Sequence, residues 1–105
     1  MENYLNDPVL AWLRDGAKPT DITPELTKAL KPITTLYPNS RGVRTLVLYI
    51  LHTFGAKRNK ELTALLGGGT PSRQRGGACT TLVRQGLIEH VRVGTHMVWR
   101  LTAGK

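Results

Sequence analysis

Cysteine is all but missing. Cys79 stands alone among 105 residues, so an internal disulfide is impossible and a reducing compartment is the natural setting. Acidic residues are scarce too. The seven Asp and Glu are scattered, and no two share a helical face in the way paired-carboxylate acid–base chemistry needs. One Cys and three His (His52, His90, His96) show no metal-ligand spacing, so the chain reads as a non-enzyme with no metal and no other cofactor. Aromatics make up only 6%, and no stacking platform of the sort single strands prefer is apparent. Apolar runs fall well short of the roughly 18 to 20 residues of a membrane span. The opening MENYLNDP has no basic-then-apolar leader, so a cytoplasmic protein away from membranes is expected.

What is abundant is positive charge, and it is unevenly placed. Residues 1–40 hold four Lys or Arg against five Asp or Glu, a net of −1. Residues 41–105 hold eleven against two (Glu61 and Glu89), a net of +9, which completes the +8 of the whole. Basic charge concentrated on one part is the footprint of a polyanion partner, whereas a merely soluble surface mixes its signs. The same contrast divides the chain into an arm, 1–40, and a basic part, 41–105. With 40% apolar residues there is material for one modest core.

In the arm, Asp7-Pro8 predicts a helix start, an N-cap followed by proline at the first helical position, and Gly16 a helix end. Leu5, Val9, Trp12 and Leu13 recur at helical spacing, giving an apolar stripe on a helix too short to stand alone. That stripe is read as a dimerisation element; the other reading is that it packs on the chain's own core. Ala17 to Thr20 form a connector. Thr23-Pro24-Glu25 opens a second short helix with Leu26 and Leu30, and Pro32 is expected to stop it.

Val43, Leu46, Val47, Ile50, Leu51 and Phe54 form the strongest periodic signal, a helix over about 41–54 capped by Asn39 or Ser40 and ended by Gly55. Lys57, Arg58 and Lys60 follow in a turn. Asn59 is expected to cap a short helix with Leu62, Leu65 and Leu66 inward. Gly67-Gly68-Gly69 is a connecting turn, not a phosphate loop, because no Lys-Ser/Thr follows and no strand precedes.

Residues 70–102 organise the rest. Thr70 as N-cap and Pro71 at the first position predict a helix to about residue 85, with Cys79, Leu82, Val83 and Gly86 on one stripe. The opposite face carries Arg73, Gln74, Gly77, Thr81 and Arg84, basic and hydrogen-bonding with little bulk. Gly76-Gly77 costs roughly 1 kcal/mol per glycine relative to alanine. Either the missing side chains permit close approach to DNA or a neighbouring helix, or the helix proper begins near Ala78. Gly94-Thr95 suits a type II′ turn, which pairs Val93 with His96, Val91 with Val98 and Glu89 with Arg100.

A helix-turn-helix followed by a β-wing is the winged-helix arrangement. The run TTLVRQGLIEHV followed by VWRLTAGK resembles the end of bacterial winged-helix regulators of the MarR-like branch. In that branch the recognition helix runs into a Gly-Leu-Ile strand start, and the second wing strand ends in Leu-Thr, a small residue and Gly. The resemblance covers about residues 41–105. The fold class expected is α+β, mainly α: a winged helix-turn-helix with a C-terminal two-stranded β-wing and an N-terminal helical arm.

The resemblance implies a duplex DNA-binding transcription regulator, acting as a homodimer and located with the nucleoid. Helix 70–85 would read the major groove, and the wing, 87–102, would touch the flanking backbone. Arg matches the guanine edge and Gln the adenine edge, so Ser72, Arg73, Gln74 and Arg75 are the candidates for base contact. Lys57, Arg58, Lys60, Thr80, Thr81 and Arg84 are candidates for the backbone, and Arg92, Thr95 and His96 for the wing contact. No small-molecule effector site is evident. The competing readings are a winged-helix protein-docking or replication-accessory module, and an architectural DNA binder without sequence preference.

Overall fold

The computed structural model describes residues 7–16, 23–67 and 69–102. At its centre lies α3 (Val43–Phe54), in which every residue from Thr45 to Leu51 is buried. Seven consecutive buried residues exceed what one apolar stripe requires, because α3 is covered from several sides. α2 (Pro24–Leu36) and α5 (Ser72–Arg84) pack against it, as does a small sheet.

The arm is part of this body. α1 (Pro8–Arg14) begins where the sequence places it, with Asp7 Oδ1 accepting from the Leu10 amide at 3.0 Å. The other carboxylate oxygen of Asp7 accepts from the Tyr49 hydroxyl at 2.5 Å, tying the arm to α3. Val9 and Leu13, expected at a contact between subunits, are fully buried inside the chain, where α1 meets α2 and α4 (Asn59–Leu66). Trp12 is half-buried against the same core. Leu5 lies outside the described residues, as does the connector of residues 17–20.

Two local expectations are corrected here. α2 runs through Pro32 rather than stopping before it. Pro32 and Lys28, the residue whose carbonyl the proline cannot serve as a donor, are both exposed, while Leu26, Leu30 and Ile33 are buried on the other side. Burying Ile33 offsets a cost of about 3 kcal/mol for an interior proline. The N-cap of α3 is Gly42, not Asn39 or Ser40. Ser40 is instead buried, donating to the Tyr37 carbonyl at 2.9 Å and accepting from Thr45 Oγ1 at 3.1 Å.

β1 (Lys57–Arg58) is a strand where the sequence suggests only a turn. It pairs antiparallel with β3 (His96–Leu101), which also pairs with β2 (Ile88–Val93), so the sheet order is β1-β3-β2. The expected two-stranded wing therefore has a third, very short strand at its root. The hairpin register is the one the turn requires, with Glu89 opposite Arg100, Val91 opposite Val98 and Val93 opposite His96. Gly94 takes φ +62° and, among the described residues, none other than glycine has positive φ, which fits a type II′ turn with Thr95 second. Arg100 Nε reaches Glu89 Oε2 at 2.6 Å across the strands.

Candidate nucleic-acid interface

α5 begins at Ser72, with Pro71 as its cap residue and no side-chain cap bond. Thr70, expected to supply that bond, is buried, and its hydroxyl has no hydrogen-bond partner among the described residues. Turning the threonine into the protein takes its oxygen away from the helix end. At the other end Leu87 N donates to Leu82 O and Gly86 N to Val83 O, both at 3.0 Å, a Schellman closure around Gly86.

The helix is continuous through Gly76-Gly77. The reading in which it starts near Ala78 is therefore overturned. A Cβ built on either glycine meets nothing within 4 Å, so close packing of a neighbouring helix does not account for them. Thr80 Oγ1 donates back to Gly76 O at 2.9 Å and Thr81 Oγ1 to Gly77 O at 3.0 Å. With its hydroxyl proton engaged, each threonine presents a methyl group and oxygen lone pairs outward.

Ala78, Cys79 and Leu82 face the core, whereas Val83, expected inward, is 42% exposed. At 100° per residue Val83 falls outside the sector shared by those three. Burial pushes the Cys79 thiol up from its ordinary pKa, against the opposing effect of Arg75 beside it. The outward side carries Arg73, Gly77, Thr80 and Arg84, all exposed and spaced i, i+4, i+7 and i+11. Eleven residues of helix place the two arginines about 16 Å apart along the axis, with a low glycine–threonine floor between them. Ser72 and Gln74 are also exposed, one on each flank, and Thr81 is half-buried.

Arg75 does not join this surface. It precedes Cys79 by four residues and Leu82 by seven, so it lies on the inward side. Its Nη1 donates to Asn59 Oδ1 at 2.5 Å, and its Nε is buried without a partner among the described residues. The same periodicity that marks Cys79 and Leu82 as buried would have found this.

Lys57 is likewise turned inward. It pairs with Trp99 in the sheet and is only 4% exposed. Its ammonium donates to Phe54 O at 2.8 Å and Ala56 O at 3.3 Å, near the C-terminal end of α3, where a cation is favoured. The neighbouring Arg58 and Lys60 are exposed. Arg58 is the N-cap residue of α4, and its amide donates to Glu61 Oε1 at 2.8 Å, half of a capping box. That bond, more than any other influence, holds the Glu61 carboxyl below its usual pKa.

Asn59 is the residue that sequence reasoning misses. Expected to cap α4, it is instead the first residue of that helix, and its side chain points at two other elements. Oδ1 accepts from Arg75 of α5 and from Trp99 Nε1 of β3, the latter at 3.1 Å. Trp99 is also stacked on His90, with ring centroids 3.8 Å apart and planes 7° from parallel. Arg92, Thr95 and His96 lie exposed near the wing tip, beside the exposed Val93 and Met97. His90 and His96 fall on opposite faces of the hairpin, as the register requires.

The fold is similar to that of a MarR family regulator from Neisseria meningitidis, with a TM-score of 0.53 and 24% sequence identity. The match covers 75% of this chain and 61% of that one, so this chain accounts for under two thirds of the regulator's length. No protein-family model and no curated protein matches the chain. The architecture is thus a winged helix of the MarR type, mostly helical, with a three-stranded antiparallel sheet.

Proposed function

We propose that this chain is a duplex DNA-binding transcription regulator that lays α5 in the major groove and sets its wing, 87–102, against the flanking backbone. The observation that carries this reading is the outward stripe Arg73–Gly77–Thr80–Arg84. A helix in a groove about 12 Å wide needs little bulk along its middle and donors at its ends. This stripe has both, on the part of the chain whose net charge is +9.

Arg73 reads guanine edges in this reading, with Ser72 and Gln74 beside it. Arg84 and Lys60, with the partly neutralised Arg58, hold phosphates. Thr80 and Thr81 touch thymine methyls, since their hydroxyl protons are already bonded to Gly76 and Gly77 carbonyls. Arg92, Thr95 and His96 meet the adjoining groove or its phosphates. Lys57 and Arg75 are left out, because both point inward. The protein acts without enzymatic chemistry, in the cytoplasm and on the nucleoid.

The active form is a homodimer binding two half-sites. Since Val9 and Leu13 lie inside the subunit, the contact between copies uses other surface, and the exposed Leu36 and half-buried Trp12 offer apolar area outside α5 and the wing. A monomer mass at working concentration, with DNA binding intact, refutes the dimer.

The test is a salt series on random duplex DNA and on DNA from around its own gene. A sequence-specific regulator loses affinity steeply with salt on both and strongly prefers one site. Steep salt dependence without preference makes it an architectural binder. No duplex binding at moderate salt overturns the reading and points to a protein-docking module, which the polar outward face of α5 does not favour.

A further inference from the structure

We infer that Asn59 is a positioning residue that sets the angle between the wing and the recognition helix α5, and so decides whether both reach one duplex. The inference rests on the DNA-binding reading above. Its basis is that three elements meet at one atom. Asn59 sits at the first turn of α4, immediately after β1, and its Oδ1 accepts from Arg75 Nη1 at 2.5 Å and from Trp99 Nε1 at 3.1 Å.

The inner face of the hairpin explains why this bond matters. Its first rung, Ile88 with Leu101, is held by the core. The next, His90 with Trp99, is the stacked pair, and Asn59 grips its indole N–H. The rung after that, Arg92 with Met97, is exposed. Asn59 therefore holds the wing near the boundary between its rooted and its free part. By the same oxygen it holds Arg75, whose buried Nε has no partner among the described residues. Losing the carboxamide frees the indole and the guanidinium together.

Asn59 itself touches no phosphate in this scheme, which gives the test its discriminating readout. Removing a residue that contacts a phosphate lowers the slope of log affinity against log salt by about one. Removing a positioning residue lowers affinity and leaves that slope alone.

The experiment compares wild type, Asn59→Ala, Trp99→Phe and the double variant on the tightest duplex selected from a random pool, each with a salt series and a thermal melt. Trp99→Phe keeps the ring that stacks and removes only the donor. Because the net contribution of a neutral hydrogen bond is modest, each single variant should bind about three- to tenfold more weakly. The double variant should be no weaker than the worse single, because the link that Trp99→Phe breaks is already lost in Asn59→Ala. Arg84→Ala, run alongside as the loss of a phosphate contact, should lower the slope.

Independent, additive losses in the double variant overturn the inference, as does a slope reduced in Asn59→Ala. Affinity unchanged in both singles, with wild type binding normally, overturns it while leaving the DNA reading intact. If Asn59→Ala melts early, Trp99→Phe decides alone, by loss of affinity at unchanged slope. A wild-type chain that selects no duplex overturns the DNA reading and this inference with it.

Discussion

Gly67 closes α4 at a point where another chain segment leaves no room. Its φ of +75° and ψ of −177° lie in a region essentially reserved for glycine, and a side chain forced there costs about 1–3 kcal/mol. A Cβ at this position would also stand 2.4 Å from the Leu13 carbonyl oxygen and 3.2 Å from its carbon. The obstacle is backbone, so either α1 or the end of α4 has to move. Overpacking of this kind adds about 1–3 kcal/mol. Gly67→Ala should therefore lose about 3 kcal/mol or more. For a domain near 100 residues each kcal/mol shifts Tm by roughly 4–8 °C, so the melt should fall by over ~10 °C.

Gly76→Ala supplies the opposite sign within the same chain. It lies in a helix with open space where the methyl would go, so it should gain about 1 kcal/mol and raise Tm. Circular-dichroism melts of the two variants and wild type make the comparison. A Gly67→Ala melt within about 2 °C of wild type, an effect under ~1 kcal/mol, would refute the docking of α1 on α4. A Gly76→Ala melt below wild type would refute a helix continuous through the paired glycines.

Two further outcomes follow from the inward side chains. Lys57→Met should leave the salt slope of DNA binding unchanged, whereas Arg84→Ala should lower it by about one, as a titration of each variant against salt would reveal. The Tyr49 hydroxyl is driven to a higher pKa by burial first and by the bond to Asp7 second. The folded chain thus keeps a proton that the unfolded chain releases above pH ~10. That part of the stability is whole below this pH and is lost as pH rises beyond it. Tyr49→Phe should show a shallower fall of Tm between neutral and strongly alkaline pH, measured against wild type.

The elements that the sequence announces are those whose signal is local. Gly94-Thr95 determines the turn, and the turn determines every pair of the hairpin; Glu89 opposite Arg100 only agrees with it. Asp7-Pro8 and Thr23-Pro24 start helices by chemistry confined to one turn. What escaped is what distant partners decide. Lys57-Arg58 has nothing strand-like in it and becomes β1 only because β3, some forty residues later, offers an edge. Pro32 looks like a stop until Ile33 is seen buried beyond it. On the candidate surface, Arg73, Gln74 and Arg84 were legible as an outward basic face. Arg75 has the same basic character, but the period that places it beside Cys79 and Leu82 turns it inward, toward Asn59. Asn59 carries no signal of its own in one sequence, since an asparagine before a helix reads as a cap.

The shortness of β1 has a mechanical consequence. It reaches only Trp99 and Val98, so β3 is clamped on both sides at its root and on one side alone at His96 and Met97. The hairpin is a cantilever with its support at the Trp99 rung. Thermal bending concentrates beyond that support, where few apolar contacts resist it, while the root moves with the body. On the DNA-binding reading proposed above, a wing built this way would feel along an uneven groove with its tip as α5 stays seated, adapting to the local width of the duplex without unfolding anything.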